Sequence, residues 1–120
     1  MVIERLPGAF TVCKIADPQV IHWTDAFVFV GKTDNELSLV CETAAVPQDT
    51  LSREDGWRGL RVAGALDFSL IGILSSITTL LAQNAVSVFA VSTYDTDYIF
   101  VKQERLDAAV AALEKAYTIT

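Results

Sequence analysis

The sequence contains few of the side chains from which metal centres and nucleophilic active sites are built. It has one histidine, His22, and two cysteines, Cys13 and Cys41, with no Cys-x-x-Cys pair. The spacing of His22 from either cysteine matches no metal-binding or catalytic signature. We therefore expect His22 to be a packed or surface residue, and both cysteines to be buried, reduced thiols inside apolar strands. No metal, cofactor or catalytic residue is predicted.

Positive charge is also scarce. Lysine and arginine together number 9, against 15 aspartate and glutamate residues, and the formal net charge is −6. Nucleic acids and anionic membranes are bound by basic surfaces, and none is evident in this sequence. Both are therefore excluded as expected partners.

The sequence lacks an uninterrupted apolar segment of bilayer length. The longest nearly uncharged stretch, 68–94, contains several serine, threonine and amide side chains and breaks at Gln83-Asn84-Ala85. This pattern favours a buried helix followed by a buried strand over a membrane span. The first six residues do not resemble a signal peptide, and we expect a cytoplasmic protein.

Apolar residues are abundant: 52% of the 120 residues are hydrophobic. A chain of this length and composition is expected to form one compact domain, or two small subdomains that share a core. Its surface is also expected to include apolar area that a partner covers.

The second half of the sequence has a clear order of elements. Apolar residues at helical spacing predict two helices, and apolar runs rich in β-formers predict four strands. In chain order these are strand 60–66, helix 70–83, strand 87–93, strand 97–102, helix 103–117 and a closing strand 118–120. The β-α-β-β-α-β order predicts an α+β, ferredoxin-like fold with an antiparallel sheet.

The first half repeats part of this order. The predicted elements are strands 2–6, 10–15, 27–30 and 37–41, with a short helix 18–23 after the second strand. Asp17 is the predicted cap of that helix, and Pro18 its first residue. The pattern fades between 42 and 57, the predicted linker. We therefore expect two tandem halves with antiparallel sheets: a degenerate N-terminal half, 1–56, and a C-terminal domain, 57–120.

Nearly all the polar groups of the second half lie in two loops. One joins strand to helix and carries Asp67 and Ser69; the other joins two strands and spans 93–97. Backbone N–H groups at a helix start, from Leu70 onward, favour a carboxylate, and Gly72 allows close approach to the backbone. The acidic turn suits an ammonium group. The alternative is structural: Asp67 and Ser69 cap a helix, and the turn is solvated.

Two motifs resemble a known family. Residues 59–74, GLRVAGALDFSLIGIL, resemble the opening of an ACT domain, and residues 92–98, STYDTDY, resemble the hairpin motif of the ACT variant shared by the CASTOR arginine sensors and small bacterial proteins. Residues 55–58, DGWR, resemble the lead-in. The resemblance implies a regulatory module that binds a small ligand, usually an amino acid, between two ACT copies. The implied ligand-binding residues are Asp67, Ser69, Leu70, Ile71, Gly72, Thr93, Tyr94, Asp95, Thr96 and Asp97.

Two functions remain open from the sequence. The first is an amino-acid sensor without chemistry of its own, acting as a homodimer or through a partner. The second is a structural or interaction module that has lost ligand binding and associates through a sheet edge or a helix face. No nucleophile–base pair, metal cluster or glycine-rich phosphate loop supports an enzyme.

Overall fold

The computed structural model describes residues 1–64 and 72–120. The elements within these ranges are eight strands and two α-helices. They are β1 (Val2–Arg5), β2 (Phe10–Lys14), β3 (Val28–Lys32), β4 (Leu37–Glu42), β5 (Ser52–Val62), α1 (Ile73–Gln83), β6 (Val88–Ser92), β7 (Asp97–Lys102), α2 (Leu106–Leu113) and β8 (Thr118–Ile119). Short 3₁₀ helices follow β2, β4 and β7.

The described residues fall into two compact units. Unit 1 comprises Met1–Pro7 and Arg58–Thr120, and unit 2 comprises Gly8–Trp57. Unit 2 is thus inserted in sequence between β1 and the rest of unit 1. The strand β5 begins in unit 2 and ends in unit 1.

Unit 1 has the element order β5-α1-β6-β7-α2-β8, as the sequence predicted for a ferredoxin-like fold. The N-terminal strand β1 joins this unit: it pairs antiparallel with β5, with Ile3 opposite Val62, and parallel with β8, with Ile3 opposite Ile119. On the other side β7 pairs with β5 and with β6. The first strand of the chain therefore lies between β5 and β8.

The core of unit 1 lies where the helices pack on this sheet. Apolar side chains of three strands and both helices are buried there, because helical and alternating spacing places them on facing surfaces. They include Ile3, Leu60, Val62, Ile77, Leu81, Ile99, Val101, Ala109 and Leu113. The helical stripe predicted from 70 to 81 is confirmed at Ile77 and Leu81, which are fully buried.

In unit 2, β2 pairs antiparallel with β4 and with the first part of β5, and β3 pairs with β4. A small core holds Cys13, Ile15, Ile21, Leu39 and Cys41. Both cysteines are buried and free, as predicted. The Thr11 hydroxyl is buried and donates to Asp55 Oδ1 at 2.6 Å, which fixes β5 beside β2.

The hairpins of the two units recur at a constant spacing. Val28–Lys32 is followed 60 positions later by Val88–Ser92, and Leu37–Glu42 by Asp97–Lys102. The second strand of each hairpin has the same burial pattern, with three successive buried residues between half-buried ones, and each is followed at once by a 3₁₀ helix. The repeated order noticed in the sequence is thus accompanied by a repeated local structure.

Several predicted boundaries were wrong. The segment 42–57 is not wholly a linker, because β5 begins at Ser52; its polar residues pair with β2 although they are exposed. The strand predicted to reach 66 ends at Val62, and Gly64 has a positive φ of 83°. The helix predicted for 18–23 is a 3₁₀ turn, Pro18–Val20, although Asp17 caps it as predicted.

Both α-helices are shorter than predicted. Helix α1 begins at Ile73 because Gly72, with φ 80°, lies in the left-handed region and cannot continue a helix. The predicted cap Ser69 and the predicted first residue Leu70 lie outside the described residues. The last helix was predicted for 103–117, but α2 spans only Leu106–Leu113 and follows a 3₁₀ turn.

Candidate functional site

The two loops singled out in the sequence belong to unit 1. Of the predicted ligand-binding residues, the structure describes Gly72 and the segment 93–97. Asp67, Ser69, Leu70 and Ile71 lie outside the described residues, so their predicted roles stay predictions. The described part of the candidate site therefore consists of the start of α1 and the β6–β7 turn.

The start of α1 presents backbone N–H groups. The first helical hydrogen bond runs from Ser76 N to Gly72 O, at 2.8 Å. The N–H groups of Ile73, Leu74 and Ser75 precede this bond and are not used within the helix. Gly72 is the N-cap residue, and as a glycine it has no side chain that could cap these N–H groups. Such a helix start is chemically suited to a carboxylate.

The β6–β7 turn is held by its own threonines. Thr93 N–H donates to Thr96 O at 2.9 Å, and the Thr93 hydroxyl donates to the same carbonyl at 3.1 Å. Thr96 is buried, and its hydroxyl donates to Val62 O at 2.7 Å. This last bond fastens the turn to the end of β5, the strand that leads toward the first loop.

The two carboxylates of the turn differ in their surroundings. Asp97 Oδ1 accepts a hydrogen bond from the Ser92 hydroxyl at 2.6 Å, across the first pair of the hairpin. Asp95 is exposed and has no hydrogen bond or ion pair with any residue that the structure describes. Asp95 is therefore the carboxylate better placed to receive an ammonium group, and Asp97 has one oxygen already engaged.

Tyr94 projects from the tip of the same turn, with 82% of its surface exposed. An exposed ring beside a free carboxylate provides an apolar contact for the side chain of a small ligand. Thr96 anchors the turn, because the one O–H donor of its hydroxyl is used in the bond to Val62 O, which leaves only its oxygen as an acceptor. The sequence did not predict this anchoring bond, and the predicted role of Thr96 as a ligand contact stays a prediction.

Other candidates from the sequence do not form sites. The side chain of His22 is largely exposed, and its Nδ1 lies 3.8 Å from Asp25 Oδ2, as fits a surface histidine. Among residues 1–64 and 72–120, no three histidine, cysteine or acidic side chains come together in a way that would hold a metal ion. No helix in the described part of the chain is long and apolar enough to cross a membrane.

The fold is similar to those of several solved structures. A protein from Agrobacterium tumefaciens is 29% identical, with a TM-score of 0.85 over 99% of this chain and 91% of that one. The ligand-free regulatory subunit of aspartate kinase from Thermus thermophilus matches with a TM-score of 0.69 at 8% identity, over 96% of both chains. Aspartate kinase from Synechocystis matches with a TM-score of 0.73 at 17% identity, over 98% of this chain and 27% of that enzyme.

No curated protein matches the sequence. The model of the ACT domain matches residues 52–115, which is more than half of the chain. The matched range begins with β5, continues through both helices and ends just after α2, so it contains the helix start and the hairpin turn described above. The chain belongs to the ACT domain family.

Proposed function

We propose that the protein is a cytoplasmic sensor of a free amino acid, with no catalytic activity of its own. The observation that carries the proposal is the hydrogen bond from the Thr96 hydroxyl to Val62 O. It holds the acidic turn at the end of the strand that leads into the first loop. An amino acid carries a carboxylate and an ammonium group, and these two loops offer a partner for each.

In this proposal the ligand carboxylate lies at the start of α1, near Gly72. The ammonium group is received by Asp95, with Asp97 beside it, and Tyr94 covers the ligand side chain. Asp67, Ser69, Leu70 and Ile71 complete the site from the first loop, and Thr93 and Thr96 shape the turn. The resemblance of residues 92–98 to the hairpin motif of the CASTOR-like ACT variant supports a ligand contact at this turn, and it implies that Asp97 is an acidic contact.

We also propose that the chain consists of two ACT-like halves, 1–56 and 57–120, and acts as a homodimer. The constant spacing of 60 positions between the two hairpins supports the repeat. In the described residues, β3 pairs only with β4, and β6 only with β7. Open strand edges of this kind favour association with a second copy.

A thermal-shift screen against the twenty amino acids tests the sensor. A ligand at 100 times its Kd adds about 2.7 kcal/mol to the free energy of unfolding, which raises Tm by several degrees. We expect one amino acid, or one chemical class, to give such a shift. Asp95→Asn is expected to weaken binding at least about tenfold, and Asp97→Asn by less, because one Asp97 oxygen is used by Ser92.

The matched control is Asp107→Asn, an exposed carboxylate in the first turn of α2. It changes the net charge equally but lies outside the proposed site, so its shift should equal that of the wild type. If no amino acid raises Tm, the proposal of a sensor is wrong, and the open strand edges favour the alternative function, a structural or interaction module. Sedimentation of the purified chain then separates a self-associating module, which is dimeric, from one that requires a different partner.

A further inference from the structure

One arginine of unit 1 is half-buried and unpaired. Arg58 forms no hydrogen bond or ion pair with any residue that the structure describes, and its Nε is shielded from solvent without an acceptor. A shielded N–H group without an acceptor is costly and is uncommon in native proteins. Other cations in the described part of the chain also lack a partner, but they are exposed to water: Lys14, Lys32 and Lys115. Arg58 therefore has a shielded donor for which the described residues provide no acceptor.

Arg58 lies on the face of β5 that the helices cover. Leu60 and Val62 follow it at alternate positions, and alternate residues of a strand share a face. Both are buried in the core together with residues of α1 and α2. Arg61 lies on the opposite face, where its Nε donates to Glu4 Oε1 at 3.1 Å. The Arg58 side chain is therefore on the helix side of the sheet, away from the Glu4–Arg61 pair.

The pairing of β5 with β7 shows at which end of this face Arg58 lies. The bond from Thr96 to Val62 O places the beginning of β7 at the end of β5. Near the end of β7, Phe100 Cε1 would lie 3.2 Å from a Cβ added to Gly59. Arg58 precedes Gly59, so it lies beside the last residues of β7. This is the end of unit 1 where a 3₁₀ turn leads from β7 into α2.

A second arginine lies at the same end of unit 1. Arg105 is the last residue of that 3₁₀ turn, and its Nη2 donates to Asn84 O, at the end of α1, at 3.1 Å. The Asn84 side chain donates to Leu80 O at 2.8 Å, and Val86 N–H donates to Leu81 O at 2.9 Å, so the acceptor loop is fixed. The other donors of Arg105 are exposed and have no partner among the described residues.

The acidic side chains of this region do not neutralise the two arginines. Glu104 lies in the 3₁₀ turn and Asp107 in the first turn of α2. Both are exposed and form no ion pair within residues 1–64 and 72–120. Exposed charges are screened by salt, so they oppose an anion less than a half-buried guanidinium group attracts it.

We infer that this end of unit 1 binds a phosphate group through Arg58 and Arg105. A guanidinium group is a planar fork of N–H donors that pairs with two oxygens of one anion. A carboxylate has only two oxygens, which one arginine engages, whereas a phosphate has oxygens for both arginines. The ligand is an inorganic phosphate ion or a phosphomonoester.

This site is separate from the one in the proposed function. The turn 93–97 precedes β7, and Arg58 lies beside the end of the same strand. The rise of a strand places the two ends of β7, Asp97 and Lys102, about 17 Å apart. One small ligand cannot reach both ends.

The test uses the full chain labelled with ¹⁵N, because the Nε–Hε signal of Arg58 reports directly on its acceptor. Inorganic phosphate and methyl phosphate are each titrated to about 10 mM at constant ionic strength, with chloride and acetate as comparison anions. We expect saturable shifts of the Nε–Hε signals of Arg58 and Arg105, and binding at least about tenfold tighter than that of acetate. Tighter binding of methyl phosphate indicates an ester as the ligand, and tighter binding of inorganic phosphate indicates the free ion.

Variants assign the binding to the two arginines. Arg58→Gln and Arg105→Gln are each expected to weaken phosphate binding at least about tenfold. Arg58→Lys keeps the charge without the planar fork and should also weaken it. Lys115→Gln removes the same charge from an exposed position after α2, and as the matched control it should leave binding unchanged.

Thermal unfolding separates a binding role of Arg58 from a structural one. Arg58→Met keeps an apolar stem of similar length but has no donors. Because the guanidinium group bonds to no described residue, Tm in phosphate-free buffer should not fall in this variant. Added phosphate should raise Tm of the wild type and not that of Arg58→Met.

Three results would overturn the inference. One is the absence of a saturable shift of the Arg58 signal with both phosphate probes. Another is an equal response to acetate or chloride, which would reduce the effect to charge screening. The third is a set of phosphate shifts confined to Gly72 and residues 93–97, which would place the anion at the other end of β7. The sensor fails by a different result, when no amino acid raises Tm, so the two proposals are tested independently.

Discussion

Cys13 and Cys41 lie in the core of unit 2 on neighbouring strands. Cys13 is opposite Leu39 and Cys41 is opposite Thr11, so the two thiols are diagonal neighbours and not a directly facing pair. Diagonal positions place residues about 7–8 Å apart, whereas a disulfide joins Cα atoms no more than about 7 Å apart. Burial raises the pKa of both thiols, and the pKa of Cys41 reaches about 11. Both side chains are thus held in the neutral form.

The raised pKa of Cys41 predicts a loss of stability in alkali. In the unfolded chain this thiol ionises near its ordinary pKa of 9.0, while in the folded chain it stays protonated up to about 11. The contribution of the protonated Cys41 thiol to the free energy of unfolding is therefore fully present below pH 9 and is lost as the pH rises from about 9 to 11. The free energy of unfolding, measured by urea titration, should fall between pH 8 and about pH 10.5. We expect this fall to be smaller in Cys41→Ala than in the wild type.

The cavity left by Cys41→Ala costs stability at every pH, so only the difference between the two pH values is informative. Cys41→Val is a second variant that fills the space without an ionisable group and should show the same reduced slope. An alkaline loss identical to that of the wild type in both variants would show that Cys41 does not titrate in this range.

At the scale of the element, glycines set two features of unit 1 for different reasons. Gly59, within β5, has no room for a side chain: an added Cβ would lie 2.9 Å from Leu6 Cδ1 and 3.2 Å from Phe100 Cε1. Gly72 has open space around it, but its φ of 80° is one that other residues rarely adopt. The first glycine allows close packing of strands, and the second determines where α1 begins.

These two causes predict different results for the same substitution. Gly59→Ala is expected to lower the free energy of unfolding by about 1–3 kcal/mol, the usual cost of overpacking. Gly72→Ala is expected to cost about 1 kcal/mol from backbone strain alone. Leu6→Ala removes the side chain nearest to the added methyl group and should therefore offset part of the cost of Gly59→Ala. A double-mutant cycle measures this offset as a coupling free energy. Additive effects of the two substitutions would contradict direct overpacking against Leu6.

The sequence predicted best the elements whose pattern comes from one buried face. The strand β7 was predicted to the residue, and the stripe of α1 was predicted through its C-terminal end. The start of β5 at Ser52 was missed because Ser52–Asp55 are polar and exposed, so neither alternation nor a hydrophobic run marks them. The start of α1 at Ile73 was missed because a glycine can adopt either a helical or a positive φ, so Gly72 alone does not show where the helix begins.

The candidate site was predictable to a similar extent. Charge and turn chemistry identified the segment 93–97 as a polar turn between two apolar strands and thus as a candidate ligand contact. They did not distinguish Thr96, which anchors the turn, from Asp95, which is free to bind. That distinction depends on the pairing register that brings Thr96 to Val62, and such a long-range contact is set by tertiary packing.

At the scale of the whole molecule, unit 1 is assembled from two separated stretches of sequence. Its core contains Ile3 of β1, which is fully buried. The two stretches of unit 1 are close together where unit 2 interrupts them, because Leu6 N–H donates to Gly59 O at 2.9 Å. Residues Met1–Pro7 thus belong to the same compact body as the matched ACT residues from Arg58 onward.

This arrangement predicts which fragments fold. A chain of residues 57–120 alone should lack a cooperative unfolding transition, because β5 and β8 lose the strand between them. A chain that joins Met1–Pro7 to Arg58–Thr120 through a few glycines should regain one, since the two ends are already hydrogen-bonded neighbours. Circular dichroism during heating compares the two. A cooperative transition in 57–120 would support the C-terminal domain as an independent half.

The position of β1 also affects when this strand can pair as the chain is synthesised and folds. Arg5 Nε donates to Thr120 O, a contact between residues 115 positions apart. During synthesis β1 emerges before unit 2 and remains unpaired while all the strands of unit 2 are completed. Pairings of such high sequence separation form slowly, because a long loop must close before they stabilise anything. A strand made before unit 2 is thus placed only after unit 2 is complete, and until then its apolar side chains are open to other chains or to chaperones.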